Sequence, residues 1–328
     1  MSTSDAPLFD DIAQGPAEGR AFWRETSDGV RIRLGLWPAA QTATSAGTVL
    51  LFPGRTEYIE KYGLIAAELA DRGFATLSVD WRGQGLSDRA DQDRLLGHVG
   101  HFSEYQLDVA AMMALAEELG LPRPFVLVGH SMGGCIGLRS LHEGLDVKGA
   151  CFSAPMWGIT IASALRPIAW GLSWALHQTP WKLMLTPGTA RKTYVDIQPF
   201  EDNMLTTDPE MYALMQLQAS ARPELTLGGP TAGWLYAALR ETTELTKLPA
   251  PSTQTVTFLG TQERIVESEP IHELMGRWRE GRLDLMQGCE HEVLMEAEPI
   301  RAQVYDAIHL LADTNGNASE ALLVAQTQ

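Results

Sequence analysis

The stretch FVLVGHSMGG, Phe125 to Gly134, decides the fold. Its apolar run, Phe125 to Val128, reads as a strand buried on both faces. The run passes directly into Gly129-His130-Ser131-Met132-Gly133, a G-x-S-x-G arrangement, and MGGCIGLRSLHEG continues with helical periodicity. Strand, serine and helix in immediate succession give this pattern its meaning. Small residues two before and two after the serine let neighbouring backbone pack closely, and the hydroxyl is offered at the positive end of the following helix. Bare glycines around a serine occur by chance, so the rest of the chain must supply partners for Ser131.

Outward from this stretch the chain alternates. TVLLFPG, FATLSVD, VKGACFSAP, TQTVTFLG and RLDLMQG are apolar runs of strand length. EKYGLIAAELADRG, SEYQLDVAAMMALAEELG (with Ser103 as N-cap), EPIHELMGRWREG and EPIRAQVYDAIHLLAD carry helical spacing. AFWRET and VRIRLGLWP flank Ser27-Asp28-Gly29 as two strands around a tight turn. Apolar strands alternating with amphipathic helices predict an α/β protein with a mostly parallel central sheet and helices on both faces. Between Trp157 and Pro249 the rhythm breaks into helical and loop segments, too long for an ordinary connection. The expected organisation is a core over 21–156 and 250–313, a helical cap inserted at 157–249, and tails at 1–20 and 314–328.

Composition narrows the function classes. The 328 residues carry a formal charge of −16, with 45% hydrophobic and 20% charged residues. That is a globular composition, and an acidic chain without a Lys/Arg run is a poor nucleic-acid binder. The same charge argues against tight electrostatic adhesion to an anionic membrane. Cys135, Cys151 and Cys289 fit neither a metal motif nor a disulfide framework, which favours a reducing compartment. The acidic N-terminus is unlike a signal peptide. The segment Met156 to Leu176 is long enough to raise the question of a membrane span, but Arg166-Pro167 sits at its centre. A cytoplasmic protein is expected, with peripheral contact at the inner membrane face left open.

Ser131 needs a base and an acid further along the chain. His291, in QGCEHEVLME after the last expected strand, lies in a loop at the carboxyl end of the sheet, where sites collect. His309 sits inside an apolar helix and reads as a packed or surface histidine. The acid should follow the preceding strand, where TVTFLGTQERIVESEP offers Glu263, Glu267 and Glu269. Glu263 is the choice, because the other two read as carboxylates at a helix N-terminus. An oxyanion hole needs two backbone amides. Met132 supplies one; Arg55 supplies the other, because Pro53 has no N–H, and Gly54 permits close approach. The Arg55 side chain has two open readings, a contact to a substrate phosphate or carboxylate, or a pair with Glu57. His98 and His101 lack further ligands and read as structural, as do Asp80 and Arg82. The chemistry calls for no metal or organic cofactor.

Together these motifs resemble the α/β-hydrolase superfamily, and more narrowly its monoacylglycerol lipase and bacterial lysophospholipase group with a helical cap. PGRTEYIEKY, VDWRGQGLSDR, LGHVGHFSEYQLDV, VGHSMGG, SAPMWGI, NMLTTDPEMY, GGPTAGWL and CEHEVLMEAE all resemble segments of that group. Two positions depart from it: Pro53-Gly54 stands where His-Gly is frequent, and Glu263 stands where Asp is usual. The resemblance implies an α/β-hydrolase fold and a serine esterase that cleaves a single-chain lipid, a lysophospholipid or monoacylglycerol, through an acyl-enzyme. A small-molecule carboxylesterase, thioesterase or acyltransferase uses the same triad. A peptidase would recruit Glu201 and Asp202, and a non-catalytic binding protein keeps only the fold. Gly54, Trp157, Trp170 and Trp174 are candidate substrate contacts. With Trp181, these tryptophans serve either cap packing, an acyl tunnel, or a lid in transient contact with a bilayer.

Overall fold

The structure is a computed structural model, described here for residues 3–313; the expected tail at 314–328 lies outside the described residues. Nine strands form one sheet in the order β1-β2-β3-β5-β4-β6-β7-β8-β9. They are β1 (Thr3–Ala6), β2 (Arg20–Glu25), β3 (Arg31–Trp37), β4 (Gly47–Phe52), β5 (Phe74–Asp80), β6 (Phe125–His130), β7 (Gly149–Ser153), β8 (Gln254–Gly260) and β9 (Gly281–Met286). The first three strands pair antiparallel, and the run from β5 to β9 is parallel. This is the mostly parallel sheet expected from the sequence.

Period-two geometry sends successive side chains of each strand to opposite faces. Leu50 and Phe52 of β4, Leu127 of β6 and Phe152 of β7 join one core. Val49, Leu51, Val126, Val128 and Cys151 join the other. Helices cover both. α3 (Tyr105–Glu118), α4 (Met132–His142) and α9 (Ser268–Gly276) close the first, while α2 (Gly63–Asp71) and α10 (Glu298–Ala312) close the second. Burying a residue such as Leu127 stabilises the fold by roughly 1.5–3 kcal/mol. Register then aligns the ends: Phe52 lies beside Gly129, His130 beside Ser153, and Ser153 beside Phe258. The carboxyl ends of four strands therefore meet at one edge.

Between β7 and β8 the chain builds α5 (Arg166–His177), α6 (Tyr194–Ile197), α7 (Pro209–Ala221) and α8 (Ala232–Leu245). Only isolated bridges, Ile159 to Val266 and Leu185 to Thr231, interrupt this helical run among the described residues. Asp208 caps α7, accepting from the Glu210 and Met211 amides, and Thr231 caps α8, accepting from the Trp234 amide. His98 Nδ1 lies 3.0 Å from the same Thr231 hydroxyl, which gives His98 its structural role.

Two local readings need correction. Residues 1–20 were expected as a tail, yet β1 adds to the sheet edge opposite β2, and α1 (Asp10–Ala13) buries Ile12 and Ala13. The strand Thr-Ser-Asp-Ala has no apolar alternation; backbone pairing and the Arg20–Asp5 ion pair hold it instead. Ser103 is not the cap of α3. A single 3-10 turn precedes the helix, and the Glu104 carboxylate accepts from the His101 amide at 2.8 Å.

Candidate active site

Ser131 stands at the turn from β6 into α4 with φ 50 and ψ −116. A non-glycine residue there stores roughly 1–3 kcal/mol of strain and persists only where its surroundings impose it. The surroundings do so through backbone: the Ser131 amide donates to the Ser153 carbonyl at 3.0 Å, and its own carbonyl accepts from the Met156 amide at 2.8 Å. Gly133 is obligatory, since a Cβ there would stand 1.9 Å from the Phe52 carbonyl oxygen. Gly129 has 2.9 Å to the Gly133 oxygen. These are the close approaches expected of the G-x-S-x-G turn.

The base and acid candidates meet. His291 Nδ1 lies 2.7 Å from Glu263 Oε2, and both side chains are buried, 5% and 2% exposed. The other Glu263 oxygen accepts from the Ile265 and Val266 amides at 2.6 and 3.0 Å. Burial works to raise the Glu263 carboxyl, but the His291 charge and these hydrogen bonds outweigh it and hold it below its ordinary 4.5. The extra methylene of Glu is thus absorbed by anchoring one oxygen on the loop's own backbone. Gly260 brings the acid loop against the histidine loop: a Cβ there would lie 2.4 Å from the Cys289 oxygen. Of the rival acids, Glu267 pairs with Arg166 at 2.6 Å and Glu269 lies at the start of α9. His309 packs in the last helix against Phe74, ring centroids 6.2 Å apart.

Ser131 and His291 line one cavity of about 470 Å³, with Gly54 and Arg55. The Arg55 and Met132 amides have no acceptor among the described residues, as donors reserved for a developing oxyanion require. Met156, Ile159, Val195, Met204, Leu205 and Met215 make much of the wall apolar.

One wall of the cavity is a charged network that sequence reading missed. Glu57 accepts from the Gly54 amide, from Tyr62 Oη at 2.6 Å and from Lys61 Nζ at 2.7 Å. Lys61 also reaches Glu292 at 2.6 Å. This bridge ties the loop of Gly54 and Arg55 to the residue beside His291. Only the four-residue spacing of Glu57 and Lys61 hinted at it. Glu57, His130 and Glu292 bring possible ligand atoms within 4.8 Å of one another. The Lys61 ammonium already sits between the two carboxylates, so the set reads as an ion-pair network. Burial holds the His130 imidazole down to about 3, hence neutral, and its ring lies tilted at 59° to that of His291, centroids 4.8 Å apart.

The tryptophans divide differently from expectation. Trp157 is buried beneath the site, stacked on Trp278 with centroids 6.1 Å apart, and does not line the cavity. Trp170 packs edge-on against Tyr236, and Trp174 is 55% exposed; neither touches the cavity either. Trp234, which the sequence did not single out, does line it.

The sequence matches the family described as serine aminopeptidase, S33, over residues 43–298. The chain belongs to this family. It is an α/β-hydrolase, and its relatives are consistent with that. It is 30% identical over 275 residues to lysophospholipase L2 of Escherichia coli (strain K12), covering 81% of this chain and 79% of that protein. Probable lysophospholipase L2 of Haemophilus influenzae is 25% identical over 264 residues, 80% of this chain and 82% of that one. In fold the hydrolase resembles a soluble variant of Saccharomyces cerevisiae monoglyceride lipase, solved with a substrate analog: TM-score 0.68, 18% identity, 88% and 94% of the two chains. Paleococcus ferrophilus monoacylglycerol lipase gives TM-score 0.65 at 18% identity over 86% and 98%.

Proposed function

We propose that this hydrolase cleaves the carboxylic ester of a single-chain lipid through an acyl-enzyme on Ser131. The observation that carries the reading is the shared cavity: Ser131 and His291 open into a space walled by methionine, isoleucine, leucine and valine, which suits an alkyl chain. The lysophospholipase relatives favour the same substrate class. His291 accepts the Ser131 proton as the hydroxyl attacks the ester carbonyl. Glu263 holds the imidazole through Nδ1 and stabilises its cation, and the Arg55 and Met132 amides hold the oxyanion. The protonated His291 then donates to the leaving alcohol, and water releases the fatty acid by the reverse sequence. A panel of lysophospholipids and monoacylglycerols read by mass spectrometry tests this. Free fatty acid is expected with the wild type and not with Ser131→Ala. A fluorophosphonate should add a single phosphonyl group at Ser131, with fluoride leaving, and its absence in folded protein would remove the serine mechanism.

Residues 157–249 act as a cap that also meets a lipid surface. Leu165, Ile168, Leu172, Trp174, Trp181 and Met184 are all exposed hydrophobics of one short segment. In a chain with 41 acidic residues, none lies between Val147 and Val195, whereas Arg166, Lys182, Arg191 and Lys192 do. An apolar face with a locally basic border suits an anionic bilayer, whatever the net charge of the whole. No described helix is long and apolar enough to cross a membrane.

A further inference from the structure

Arg55 presents a problem that the ester chemistry does not use. Its backbone amide serves the oxyanion hole, but its side chain is a guanidinium placed where few groups balance it. Nη1 donates to the Gly228 carbonyl at 3.0 Å, and the guanidinium carbon lies 5.0 Å from the centre of the Trp234 ring. Nε and Nη2 are out of water's reach and have no hydrogen-bond partner among the described residues. Among the described residues no carboxylate pairs with Arg55. Its sequence neighbour Glu57 is committed to Lys61, Tyr62 and the Gly54 amide. Burial draws the Arg55 guanidinium down to about 10, so it remains a cation at neutral pH.

A partly buried cation with two inaccessible, unsatisfied donors is costly, and such groups in native proteins call for a partner. The position suggests which one. Thr56 follows Arg55, Thr226 lies two residues before Gly228, and Gly229 packs against Thr189; all three threonines line the cavity. The cavity around Arg55 therefore carries hydroxyls beside an unpaired cation, while the mutually paired Glu57, Lys61 and Glu292 line another part and methionines and aliphatic residues much of the rest. A guanidinium presents paired donors that match phosphate oxygens. An uncharged glycerol head group would leave the charge as unbalanced as it is now.

We propose that the Arg55 side chain is the head-group contact of this site, pairing with the phosphate of a lysophospholipid so that phosphorylated single-chain lipids are chosen over neutral monoacylglycerols. This rests on the single-chain lipid reading above. In it, the guanidinium re-orients about its hydrogen bond to the Gly228 carbonyl and brings Nε and Nη2 to the incoming phosphate, with the Thr56 hydroxyl as an added donor; the Thr189 and Thr226 hydroxyls already donate to the Thr186 and Pro223 carbonyls.

The test has a kinetic and a binding arm. Initial rates are measured on 1-oleoyl-lysophosphatidylglycerol and 1-oleoylglycerol, below their micelle concentrations, for wild type, Arg55→Lys and Arg55→Gln. The wild type should favour the phospholipid in kcat/KM. Arg55→Gln should lower the ratio of the two specificities by about 10–100-fold, mainly through the KM of the phospholipid. Arg55→Lys, which keeps the charge without the fork, should fall between. Equal losses on both lipids would assign the side chain to holding the oxyanion loop and overturn the proposal. The binding arm needs no turnover: sn-glycerol 3-phosphate is titrated calorimetrically into Ser131→Ala, with and without Arg55→Gln. Saturable binding that weakens at least about tenfold in the double variant, with glycerol giving none, supports the assignment. No binding to Ser131→Ala overturns it. If neither lipid is cleaved, the ester reading fails by itself, and the calorimetry still decides whether Arg55 holds phosphate.

Discussion

At Ser131 the backbone holds a conformation that glycine would adopt freely, and this separates the demands of folding from those of chemistry. Ser131→Gly should melt above Ser131→Ala in calorimetry while both lack turnover, because glycine relieves the positive φ and alanine does not. Gly133 has no such latitude. Gly133→Ala forces a Cβ to within 1.9 Å of the Phe52 oxygen, and the expected loss is more than about 3 kcal/mol in denaturant unfolding. At Glu263 the prediction concerns rate. Glu263→Gln keeps the shape but not the charge that stabilises the imidazolium, and kcat should fall by about 10²–10⁴-fold. Glu263→Asp keeps the charge but cannot span both the Ile265 and Val266 amides and His291, so partial recovery is expected. Full activity of Glu263→Gln would move the acid elsewhere.

Among the elements, α5 makes the most distinctive demand on its surroundings. Ser173 is its one buried residue, and its apolar side chains largely face outward. Replacing Ile168, Leu172 and Trp174 together by serine should leave the hydrolysis of a short soluble ester near the wild-type rate. The same triple variant should lose sedimentation with vesicles containing anionic lipid. Retained sedimentation would mean that another surface makes the contact. Sequence reading succeeded on elements whose burial is written locally. β4 to β8 are mostly apolar and buried along nearly their whole length because both faces are covered, and Ser131, His291 and Glu263 follow their strands at short intervals. It missed what is written only in three dimensions. β1 has no apolar pattern, since it is held by backbone pairing at an edge. The Glu57–Lys61–Glu292 bridge joins residues more than two hundred positions apart. The tryptophans of the insertion were legible as a cluster, but a side chain's exposure depends on which neighbour covers it, so Trp157 reads like Trp174 while one is buried and the other is not.

For the whole molecule, charge is the variable that matters. With a formal charge of −16 and a pI of about 4.9, the folded chain repels itself at neutral pH. Added salt should raise Tm at pH 8, and the gain should shrink near pH 5. Salt lowering Tm at pH 8 would show that screened ion pairs outweigh the repulsion. On the acid side the sign follows from depressed carboxyls. The Arg82 hydrogen bond, against burial, brings Asp28 from 3.8 to about 2, and Glu263 lies below 4.5. Their stabilising contribution is complete above the ordinary carboxylate range and is lost as pH falls through the lowered values. Tm should therefore drop steeply below about pH 4. The bridge from Glu57 through Lys61 to Glu292 has a further consequence, for synthesis. Ser131 and the loop of Gly54 and Arg55 leave the ribosome long before Glu263, and Glu263 before His291. The two loops are locked together only when Glu292 docks on Lys61. A nascent or truncated chain ending before β9 thus carries Ser131 without Lys61's partner Glu292 and without His291, and the candidate site is assembled only once both loops have been made.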